Sequence, residues 1–183
     1  MKKTLFALAL LLAASVTGHA QKYFTRDAKI KFNSDSKVEK VEAVNKTGTC
    51  VLDAATGKTE WKVLIKGFNF EKALMQEHFN ENYLESGKFP NSTFLGTITN
   101  LSDVKFAQDG TYKVNVKGKM TMHGVSKDIE VPGTIKVSGG NLEISSNIKV
   151  ACSDYNITIP SVVADKLSNV IDVAISAQLK PMK

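Results

Sequence analysis

Cysteine and histidine are scarce in this chain of 183 residues, which has two of the first and three of the second. That scarcity excludes much chemistry. No His-Glu-x-x-His and no Cys-x-x-Cys occurs, so the usual ligand sets of a zinc site are missing. Beyond residue 20 the histidines are His78 and His123, which leaves a serine or cysteine nucleophile little choice of base. No Gly-x-Ser-x-Gly elbow and no glycine-rich phosphate loop is present. The net charge is +6, but the lysines are scattered, and scattered charge does not make a nucleic-acid patch. Low-complexity stretches and linkers are also lacking. The reading is therefore not an enzyme, with no catalytic residue, metal or cofactor and no nucleic-acid partner.

Long apolar runs are missing after the first residues. Lys2 and Lys3 precede an apolar run from Leu5 to Ala14, too short to span a bilayer as a helix. Gly18-His19-Ala20 follows with small residues at the two positions a signal peptidase reads. Residues 1–20 read as a signal peptide cleaved before Gln21, and residues 21–183 as one domain. No cysteine lies near that site, which argues against a lipid anchor. The expected location is periplasmic or secreted. Export would place Cys50 and Cys152 in an oxidising space, where a bridge between them would stabilise the fold by about 4–5 kcal/mol. The strands that carry them offer no reason to lie side by side, so two buried free thiols are the default expectation.

What the chain does have is alternation. From Thr111 to His123, Tyr112, Val114, Val116, Gly118, Met120 and Met122 fall on one face, and Lys113, Asn115, Lys117, Lys119 and Thr121 on the other. A one-residue slip would bury every lysine, so register is well specified. The same period recurs through Ala28, Ile30 and Phe32; Trp61, Val63 and Ile65; Phe94 and Ile98; Ile129, Val131, Ile135 and Val137; Leu142, Ile144, Ile148, Val150 and Cys152; and Ile171, Val173, Ile175, Ala177 and Leu179. Residues 38–52 read as a further long strand of ambiguous face. Turn signals separate the runs at Gly57, Asp109-Gly110, His123-Gly124 and Gly139-Gly140. About eight antiparallel strands with one apolar face each imply a sandwich or a closed barrel.

Two segments break the period. Glu71 to Leu84 places Leu74, Met75, Phe79 and Tyr83 at helical spacing, and Ser161 to Leu167 reads as a short helix after Pro160. Both are long enough to cover a barrel mouth. The inward set is then Phe32, Trp61, Val63, Ile65, Phe94, Ile98, Tyr112, Val114, Val116, Met120, Met122, Ile129, Val131, Ile144, Ile148 and Ile175, with Leu74, Met75 and Phe79 over it. A filled core and a ligand cavity remain open alternatives. Met75, Met120 and Met122, soft gap-fillers, and the small Gly118 and Ser146 favour the cavity. Arg26, His78, Lys88 and His123 are the cations that could meet a polar head group.

Three motifs occur in order: MQEHFNENYLESGKFPNSTFLG, GKMTMHGVSKDIEVPGTI and SDYNITIP. Together they make the chain resemble the bacterial YceI-like family from about Tyr23 to Leu179. The resemblance implies an all-β, eight-stranded antiparallel, lipocalin-like barrel with one or two short covering helices. It further implies an exported protein that binds a polyisoprenoid or related long-chain lipid in the barrel as carrier or buffer, with transient membrane contact. It fixes neither the lipid nor the oligomeric state. The rival expectation is a packed barrel acting as a stress-response or protein-interaction module without a lipid.

Overall fold

The computed structural model describes residues 22–36 and 40–182; the expected leader and the start of the 38–52 strand lie outside them. The strands are β1 (Lys22–Asp35), β2 (Lys40–Asp53), β3 (Lys58–Leu64), the two-residue β4 (Asn69–Phe70), β5 (Asn91–Ile98), β6 (Gly110–Met122), β7 (Val125–Ser138), β8 (Asn141–Ala151) and β9 (Val170–Pro181). All pairings are antiparallel, in the order β1-β9-β8-β7-β6-β5-β3-β2, and β1 pairs with β2 to close the ring. Closure removes the exposed edges of an open sheet. The expected eight-stranded barrel is therefore the observed one, with β4 added against β2 at Ala43 and Val44.

The lysine-rich strand shows how composition sets register. Lys117 stands opposite Glu130 and Lys119 opposite Asp128, each pair at 3.4 Å on the outer face. Exposed pairs of this kind contribute little energy; the burial of Val114, 4% exposed, on the other face contributes more. Two hairpin turns place both central residues at positive φ, His123-Gly124 and Gly139-Gly140, the geometry that matches strand twist.

The barrel has two unlike ends. At one, the short turns leave a dense core of Tyr23, Cys50, Leu52, Ile98, Val114, Ile135, Val137, Leu142 and Leu179. At the other, longer connections fold over the top. The segment after β4 forms α1 (Ala73–His78) and a π-turn (Phe79–Tyr83). The expected second helix is a single 3-10 turn, Ser161–Val163, in which Val162 points outward at 83% exposure. Ile65 and Cys152, expected on strands, each open a 3-10 turn just beyond one.

The two cysteines are free and buried, in separate core clusters. Burial pushes the Cys50 thiol up to about 12, against a weak opposing contact with the Thr59 hydroxyl at 3.9 Å. The Cys152 thiol is raised for the same reason. With its proton held this firmly, Cys50 carries little thiolate, and only thiolate reacts. Native protein at about pH 8 should leave Cys50 unmodified by iodoacetamide, while denatured protein labels at both positions. Mass spectrometry of the peptides checks this.

Candidate functional site

Inward residues at the covered end are not fully buried, although they face away from solvent across the sheet. Phe32, Trp61, Val63, Phe94, Met120, Met122, Ile129, Ile148 and Val173 are all half-buried, because they face a hollow. The cavity has a volume of about 650 Å³. Close-packed interiors leave few voids larger than one water, whereas ligand sites run from about 300 to 1,000 Å³. A filled core does not fit this interior.

All but one of the residues expected to line the barrel meet in this wall. Tyr112 does not. It lies near the packed end against the core cluster, and its hydroxyl donates to the Gln108 carbonyl at 3.0 Å. Alternation assigns Tyr112 its face correctly; position along the barrel axis, which alternation does not encode, excludes it from the hollow. Gly118 also departs from expectation. It leaves no room for a ligand, since a Cβ there would run into the Leu95 carbonyl and Gly96.

Sequence reading missed much of the roof. Phe68 and Phe70 enter the wall and form a cluster with Phe32 and Phe79, ring centroids 5.0 to 5.6 Å apart. That cluster ties the π-turn to β1. Ile157, Ile159, Val163 and Leu167 come from the β8–β9 connection. Val163 and Leu167 lie in the 161–167 segment expected to cover the mouth, whereas Ile157 and Ile159 precede it in a stretch outside any regular helix or strand.

The wall is apolar with a thin polar edge. Lys72, His78 and Lys166 line it, and no Asp or Glu among the described residues does. Of the four cations considered for a head group, only His78 stands in the wall; its Nδ1 accepts from the Asn82 amide at 3.0 Å. Arg26 stacks over Phe24 at 5.5 Å and Lys88 over Phe89 at 4.9 Å, both outside the cavity. His123 is likewise outside the wall, engaged by Glu85 and Tyr155. Among the described residues no group of three or more His, Cys, Asp or Glu is placed to hold a metal.

The YceI-like domain profile matches residues 12–179. The chain belongs to the YceI-like family. Solved structures agree with the fold at low identity. A polyisoprenoid-binding domain from Saccharophagus degradans, implicated in plant cell wall breakdown, superposes with a TM-score of 0.76 at 11% identity, covering 89% of this chain and 99% of its own. BcnA from Burkholderia cenocepacia gives 0.68 at 16%, covering 83% and 95%. The YceI protein of Campylobacter jejuni gives 0.63 at 22%, covering 81% and 89%. No match was found among curated proteins. This member shares the fold of those structures.

Proposed function

We propose that this YceI-like protein is exported and holds the tail of a polyisoprenoid or related long-chain lipid in its barrel, as a carrier that exchanges with membranes. The observation that carries the reading is the apolar hollow of about 650 Å³ with no carboxylate in its wall. Burial contributes about 0.8 kcal/mol per methylene relative to water. A bilayer solvates the same tail about as well, so the net preference over membrane is small. Such a protein buffers and transfers its cargo instead of trapping it. Leu74, 62% exposed, and Val162 stand on the covering segments as exposed apolar side chains, suited to brief contact with a lipid surface. No helix among the described residues is long and apolar enough to cross a membrane.

The test is direct. Protein purified without detergent is extracted with organic solvent, and the extract is analysed by mass spectrometry. A long-chain lipid at near one per protein is expected, and delipidated protein should take up a polyprenol or fatty acid again. An empty extract together with no uptake would sink the carrier reading.

A further inference from the structure

The barrel wall is not continuous. The β7–β8 ladder stops at Thr134 opposite Ser145. Beyond that point β7 stays paired with β6 up to Val125, and β8 stays paired with β9 up to Ala151. The two strands therefore face each other across a seam without ladder bonds. Ile129 and Val131 line the cavity on one side of it, Ile148 and Val150 on the other. Where β2 and β3 separate, by contrast, β4 and the Asn45 amide, donating to the Leu64 carbonyl at 2.8 Å, fill the space. Opening the barrel at β7–β8 breaks no sheet hydrogen bond, so it is the section of wall that yields most easily.

Among the described residues three polar contacts cross the seam. The Ser146 hydroxyl donates to the Pro132 carbonyl at 2.6 Å, Lys127 Nζ stands 3.9 Å from Asp154 Oδ1, and His123 Nδ1 donates to the Tyr155 carbonyl at 2.9 Å. His123 does more. Its Nε2 meets Glu85 Oε2 at 2.7 Å, and its ring stands edge-on to Phe89 at 4.8 Å. Glu85, His123 and Asn156 are also the three non-glycine residues at positive φ among those described. They belong to three separate loops: the exit from α1, the β6–β7 turn and the cap of the Cys152–Tyr155 turn. Glu85 and the Tyr155 carbonyl, next to Asn156, both meet this one 11%-exposed imidazole, which marks a built contact.

We propose that the barrel admits and releases its ligand sideways between β7 and β8, and that His123 is the latch of that opening. This rests on the reading that the hollow holds a ligand. A carbonyl and a carboxylate can only accept, so meeting both takes N–H on both ring nitrogens; a neutral ring meets one. The charged groups around the latch are Glu85, Lys88 over the Phe89 ring, and the Asp154–Lys127 pair beside Tyr155.

The probe is cis-parinaric acid, a fluorescent fatty acid, followed by stopped flow. In His123→Ala, association and dissociation should both accelerate by about tenfold with little change in Kd, as loss of a latch requires. Amide exchange should rise across residues 125–133 and 146–157. If His123→Ala does not fold, Glu85→Gln, which keeps an acceptor but removes its charge, should act in the same direction. Unchanged rates in the folded variant, or faster amide exchange confined to residues 73–90, would overturn the lateral route. If the natural protein takes up no probe, the carrier reading itself fails. Amide exchange alone then decides the latch, and its absence in residues 146–157 of the variant would overturn it.

Discussion

Val116→Trp is expected to abolish uptake of a long-chain probe while leaving a folded barrel. Val116 pairs with Ile98; both line the hollow, Ile98 at 4% exposure and Val116 half-buried. An indole there rises into empty space, so it avoids the strain that overpacking brings to a filled core. It displaces about four methylenes of ligand, at about 0.8 kcal/mol each. The loss of about 3 kcal/mol is more than a hundredfold in affinity. Fluorescence titration with the probe reads the loss, and circular dichroism with a thermal melt checks the fold. Undiminished uptake would mean that the ligand does not occupy this hollow.

Gly118→Ala should damage the fold itself. Gly118 pairs with Gly96 on β5, and an added Cβ would lie 2.5 Å from the Gly96 Cα as well as against the Leu95 carbonyl. Both are backbone, so no rotamer change relieves the clash. Overpacking costs about 1–3 kcal/mol even where side chains can shift, and here about 3 kcal/mol is expected, lowering Tm by about 6–12 °C. Gly87→Ala is the control, since nothing lies within 4 Å of its added Cβ, and it should stay within about 0.5 kcal/mol of the parent. A melt of Gly118→Ala that matches the control would show that β5 and β6 can separate there at no cost.

The motifs that carried the family resemblance acquire a physical role. Lys88-Phe89-Pro90 and His123-Gly124-Val125 are far apart in the chain, and each reads locally as a turn. In the fold they touch: Phe89 packs on the His123 ring, and a Cβ at Gly124 would stand 2.6 Å from the Phe89 ring. His78, the residue of uncertain purpose in the covering segment, sits at the rim. His123, first considered for a ligand head group, instead joins loops.

Sequence alone set most of the strands, about the number needed to close a barrel, and the buried face of every long strand except residues 38–52. Alternation is a local property, and burying one face of each strand admits one register. It also marked residues 71–84 and 161–167 as departures from that period, because their apolar spacing changes. Only the tertiary structure decided that the interior is hollow at one end and packed at the other. Inward-facing Val131 and Val137 on β7 have the same chemistry and parity, yet Val137 is sealed and Val131 lines the cavity. The difference is height along the barrel axis, set by strand tilt and by which connections are long. The seam between β7 and β8 was equally invisible, because both strands remain fully paired on their other sides. A strand's sequence records which face is apolar and carries no mark of where a ladder with a neighbour ends.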